Sequence, residues 1–150
     1  MDINRLETAR LFHRFGFGPR PGEFVNAVNA GVSATREKLF ANSGTDSGLM
    51  NVPQLVLADL GKRPSPNDPQ RANYSTELRR QNNELTTWWL DRMVLADFSL
   101  QEKATWFWHG HWATSIKKLN FALPMYKQHQ TLQKYALGNF DEMVSAMLDD

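Results

Sequence analysis

The chain has 150 residues, of which 41% are hydrophobic and 22% charged, with a net charge of +1 and no cysteine. That length supports one domain with a core of its own, and the missing cysteines exclude disulfides, thiolate metal sites and cysteine nucleophiles. The basic residues come no closer than adjacent pairs such as Arg79-Arg80 and Lys117-Lys118, too few in one place for a stripe that tracks nucleic acid. The N-terminus is charged without an apolar signal core, and no stretch approaches the ~18 apolar residues of a membrane span. Composition therefore reads as a cytoplasmic chain without a membrane span.

The elements in chain order all read as helix. Leu6, Ala9, Leu11, Phe12 and Phe15 recur at helical spacing, with Asn4 and Glu7 placed as N-cap and N3 partner and Gly16 as the stop. Gly18-Pro-Arg-Pro-Gly22 forces a turn. A second helix is predicted over 23–30, ending at Gly31, and a third from Ser33 that carries Leu39 and Phe40 inward. Residues 42–52 read as a loop, and Pro53 as the opening of a short helix closing at Gly61. Residues 62–73 hold three prolines and read as an extended, mobile loop that marks a subdomain boundary or closes over something.

A long helix follows over 75–97, with Leu78, Leu85, Trp88, Trp89, Arg92, Met93 and Ala96 along one stripe. Ser99 and Glu102 have the spacing of a capping box for the next helix. Pro124 opens another, with Met125, Leu132, Ala136 and Leu137 inward and Gly138 as its stop. Asn139 with Glu142 caps the last helix, which reaches Leu148-Asp-Asp150 without a stop signal and so points to a longer protein. No alternating strand pattern or hairpin signal is present. The expectation is an all-α fold of about seven helices, an irregular orthogonal bundle without a sheet, as a single domain over 1–150.

Between Lys103 and Ser115 the chain concentrates two of its four histidines and three of its five tryptophans, with Gly110 between His109 and His111. On a continuous helix, imidazoles two residues apart diverge by roughly 200°. If the helix ends near Gly110, a poor helix former, they can converge on one divalent metal ion. Glu102, Asp91, Glu84 and His129 are candidate further ligands, and Glu102 is also a candidate base or orienting group. Trp108 and Trp112, with Trp88, Trp89 and Trp106, are candidates for stacking on a ligand. The plainer reading makes both histidines hydrogen-bonded core residues and the tryptophans a helix contact. His129 reads as a satisfied helix-face histidine, and His13 as a partner for the free carbonyls ending the first helix. No dinucleotide fingerprint, phosphate-binding loop or nucleophile elbow occurs.

Four stretches, Ala9-Arg-Leu-Phe-His-Arg-Phe-Gly-Phe-Gly-Pro19, Trp88-Trp-Leu-Asp-Arg-Met93, Leu100-Gln-Glu-Lys-Ala-Thr-Trp-Phe-Trp-His-Gly-His111 with Ala113-Thr-Ser115, and Leu137-Gly-Asn-Phe140, together resemble the bacterial family called domain of unknown function 1800. The resemblance gives no established activity. It places His109 and His111 on the family's Trp-His-x-His motif, while Trp112 and Ser99 replace a more usual Phe and Pro. It also implies longer relatives, whose following Glu-, Asn- and Arg-rich segment would complete a mixed His/carboxylate site. The leading expectation is then a metal or ligand site centred on His109 and His111, hydrolytic or oxidative in its chemistry. The competing one is a non-catalytic helical module that binds a protein partner through its tryptophans.

Overall fold

A computed structural model of the chain describes residues 2–41, 46–112 and 115–149. Among them the chain forms eight α-helices and no strand: α1 (Ile3–Phe15), α2 (Glu23–Ala30), α3 (Val32–Phe40), α4 (Arg71–Leu95), α5 (Ser99–His111), α6 (Ile116–Leu119), α7 (Ala122–Tyr135) and α8 (Phe140–Leu148). A single 3-10 turn, Leu49–Asn51, precedes α4. No described helix is long and apolar enough to cross a membrane. Helices α1, α2 and α3 pack on one another, and α5 joins them to a second group in which α7 touches α4, α5 and α8.

The core sits where α4, α5 and α7 meet, and it is layered. At its apolar end Leu85 and Trp88 of α4 lie against Ala122 and Met125 of α7. In the middle layer the ring of His129 is held between Trp88 and Trp89, with centroids 5.1 and 4.9 Å away. The third layer is polar: Arg92 Nη2 donates to Glu102 Oε1 at 2.5 Å, and Gln133 Nε2 donates to the same oxygen at 3.0 Å. The spacing of Glu102, Thr105 and His109 puts all three on the inward face of α5. That face is polar where a bundle helix would ordinarily be apolar.

Several local expectations are corrected. Residues 53–60 are not helical. Leu55 and Leu57 both pack on the core, an alternation that suits an extended chain and not a helix. Helix α1 is capped by Asp2, whose carboxylate accepts the Asn4 amide at 3.0 Å, and not by Asn4. The Ser99–Glu102 capping box does not form: Glu102 is drawn inward by Arg92, and the Ser99 hydroxyl lies against Gly16. Asp46 takes over ahead of α5, accepting the amides of Asp97 and Phe98 at 3.0 Å each. Phe40 is half-exposed, leaning on Phe15, and Leu137 is exposed in the turn beyond α7. The Asn139 cap does form, its Oδ1 accepting the Asp141 amide at 2.8 Å.

The join between α4 and α5 is fixed from a distance. Arg20 Nη2 donates to the carbonyls of Leu95 and Ala96, both at 2.7 Å, and Nη1 pairs with Asp97 at 2.9 Å. Asp97 also accepts the Ser47 hydroxyl and the Gly48 amide. Bonds from the Ser47 hydroxyl, Arg20 and the Gly48 amide hold its carboxyl down at about 2. Of the predicted loop over 42–52, residues 42–45 lie outside the described part. The segment over 62–70 is irregular, tied by Arg71 Nη1 to the Pro64 carbonyl at 2.7 Å, and α4 starts at Arg71 rather than at 75.

Candidate functional site

Helix α5 continues through Gly110 to His111, so the two imidazoles leave the backbone in different directions. His109 turns toward the core and meets the Trp89 ring edge-on, with centroids 4.8 Å apart. His111 stays exposed, stacked on Phe107 at 6.3 Å with 20° between the ring planes. Both nevertheless border one groove of about 360 Å³, lined by Trp106, Phe107, His109, Gly110 and His111. Helical spacing explains this. Trp106 and His109 stand three residues apart on one flank, and Phe107 and His111 four apart on the other. Gly110 lies between them, and a Cβ built there meets nothing within 4 Å. The groove exists because the residue at its floor has no side chain.

The walls differ in chemistry. Trp106 and Phe107 are about half exposed, at 49% and 57%. Lys103 Nζ sits over both Trp106 and Phe17, 4.8 and 4.9 Å from the ring centroids, a cation between two aromatic faces. Burial lowers the pKa of His109, so at neutral pH its ring is uncharged and offers one donor and one acceptor nitrogen.

Behind this wall lies a second group of polar residues. His129 is 4% exposed, and burial, with Arg92 and His109 nearby, pushes its pKa down to about 3. Among the described residues its Nε2 has no hydrogen-bond partner, nor do Trp89 Nε1, Arg92 Nε and Glu102 Oε2. His129 is therefore a core residue wedged between tryptophans and not a satisfied histidine on a helix face. Its place was hidden in the sequence, because it depends on Trp88 and Trp89 from a helix about 40 residues earlier.

The remaining candidates are dispersed. Glu102 is 1% exposed and committed to Arg92 and Gln133, away from the groove lining. Trp108 donates its indole N–H to the Ala136 carbonyl at 3.0 Å and stacks on Phe140, pinning α5 to α8. Trp112 follows α5 as its C-cap, edge-on to His111 at 6.2 Å, with a buried indole nitrogen that has no partner among the described residues. Glu84 and Asp91 line a different groove, on α4 beside residues 53–56, and Glu84 is paired with Arg80. His13 lies in the last turn of α1, as expected. Among the described residues no three His, Asp or Glu side chains converge as a metal site would need. Ala113 and Thr114 of the histidine run lie outside the described residues. Phe107, which forms half of one wall, was missed because a lone Phe in an aromatic run carries no signal of its own.

The architecture is that of an all-helical protein with an aromatic, histidine-walled groove over a polar core. The chain belongs to the family described as protein of unknown function (DUF1800), whose family model matches residues 10–150. Neither a curated protein nor a solved structure matches it.

Proposed function

We propose that the chain binds a small ligand in the groove over Gly110, held between the walls Trp106–His109 and Phe107–His111. The observation that supports this reading is that two imidazoles and two exposed aromatic rings border one cleft whose floor is a glycine. A glycine in a helix costs about 0.5–1 kcal/mol relative to alanine, a cost accepted where a ligand must approach the backbone closely. The rings supply flat apolar contact and the imidazoles supply hydrogen bonds. Because α5 continues through Gly110, the two imidazoles do not converge on one divalent ion, and a metal there would meet one histidine at most.

Backbone amide spectra of the chain, titrated with a fragment library, test the reading. Shifts are expected to cluster at 106–111 and to vanish in His109→Ala and Gly110→Leu, the latter filling the groove. Gly110→Ala adds only a methyl in open space, so it should raise stability by about 0.5–1 kcal/mol in urea unfolding. Shifts that fall elsewhere, or that survive both variants, would remove the groove from consideration.

A further inference from the structure

Most of the chain's ten arginines have partners. Arg20, Arg80 and Arg92 pair with carboxylates, Arg71 and Arg79 donate to Pro64 and Thr76, and Arg5 lies over the Phe24 ring. Among the described residues Arg10, Arg14, Arg36 and Arg63 make no ion pair, hydrogen bond or ring contact. Three of those four, Arg10, Arg14 and Arg36, line one pocket of about 300 Å³. The pocket lies where α1 packs on α3. Helical spacing builds it: Arg10 and Arg14 stand four residues apart on α1, as do Leu11 and Phe15, and as do Val32 and Arg36 on α3.

The charge in this pocket is unbalanced. Glu7 is the acidic residue in its lining, and it forms no ion pair among the described residues. Three guanidinium charges against one carboxylate leave +2 in the pocket, where the whole chain carries +1. Like charges four apart on a helix repel, and a guanidinium cannot shed its proton to relieve this. The floor differs in kind: Leu11, Phe15 and Val32 are apolar and half-buried, while the arginines are exposed. A cationic rim thus surrounds an apolar seat, at the small end of the range for ligand pockets.

We propose that this pocket binds an organic phosphate, its phosphoryl group among Arg10, Arg14 and Arg36 and its apolar body on Leu11, Phe15 and Val32. A guanidinium presents paired N–H donors at the spacing of phosphoryl oxygens. A phosphate monoester carries close to two negative charges at neutral pH, which offsets the pocket's excess, whereas a carboxylate carries one. Three cations around one concavity suit a single anionic group, while a nucleic acid requires a stripe that continues along the surface. No lining residue is shared with the groove over Gly110, so the two sites stand independently.

Backbone amide spectra of the whole chain, titrated with phenyl phosphate, test this. The expected result is saturable shifts at residues 7–15 and 32–36, with affinity weakened about tenfold or more in Arg10→Gln and in Arg36→Gln. Both variants alter exposed, unpartnered side chains, so they should melt at or above the parent's temperature. Phenyl phosphate should raise the melting temperature of the parent more than theirs. Arg63→Gln removes the same charge outside the pocket and should bind as the parent does. Vesicles of phosphatidylcholine, with and without phosphatidic acid, separate the sources of the phosphoryl group. Co-sedimentation that needs phosphatidic acid and is lost in Arg10→Gln assigns it to a lipid, and phenyl phosphate binding without co-sedimentation assigns it to a soluble ester; either supports the site. Four outcomes would overturn the proposal: no saturable shift, shifts that fall elsewhere, benzoate bound as tightly as phenyl phosphate, or Arg63→Gln weakening binding as much as Arg10→Gln. Retention of an oligonucleotide with no response to phenyl phosphate would give the arginines to a polymer and overturn it too.

Discussion

At His129 the fold keeps an imidazole where water cannot reach it, and the consequence is a pH dependence with a definite sign. Its pKa falls from 6.5 to about 3 on folding. The unfolded chain therefore takes up a proton between those values that the folded chain refuses. Stability is fully present above about pH 6.5 and declines as pH drops through the window toward 3, by up to about 1.4 kcal/mol per pH unit. His109, whose pKa burial also lowers, adds in the same direction. His129→Leu removes both the titration and the unpartnered Nε2. Urea unfolding of this variant at pH 7 and pH 5 should show a smaller difference between the two than the parent shows. An equal difference would place the pH dependence elsewhere. The histidine run was visible in the sequence at residue level, but this third imidazole beside Trp89 was not.

Among the elements, the capping signals show how far local reading reaches. Asn139 caps α8 because its partners, the amides of Asp141 and Glu142, are its own neighbours in sequence. Ser99 and Glu102 have equally good spacing, yet Glu102 is taken by Arg92 of α4 and the start of α5 is served by Asp46. A propensity worth about 1 kcal/mol yields to a buried charge that must be paired. The same join contains Gly48, whose added Cβ would fall 1.7 Å from the Leu95 carbonyl oxygen. Its φ of −63° is open to any residue, so the constraint is close approach and not backbone conformation. Gly48→Ala is expected to cost about 1–3 kcal/mol in urea unfolding by forcing the 46–48 loop off the end of α4. A variant as stable as the parent would mean that the loop moves freely.

At the level of the molecule, Glu102 ties α4, α5 and α7 together through one carboxylate oxygen shared by Arg92 and Gln133. Glu102→Ala leaves a guanidinium nearly buried without its counter-charge, and should cost about 3–5 kcal/mol in urea unfolding. Replacing both partners, Arg92→Met with Glu102→Leu, should recover much of that, because the penalty comes from an unpaired charge more than from the loss of the pair. A single variant no less stable than the double one would contradict this account. The sequence by itself determined the all-helical class, most helix boundaries and the aromatic-histidine run, since 3.6-residue periodicity, caps and breakers act between near neighbours. Tertiary structure alone decided that Glu102 turns inward, that residues 53–60 stay extended, that His129 enters the core and that His109 and His111 border one groove. Each of those outcomes depends on which distant helix supplies the opposing charge, ring or apolar surface, and no spacing within a segment encodes that.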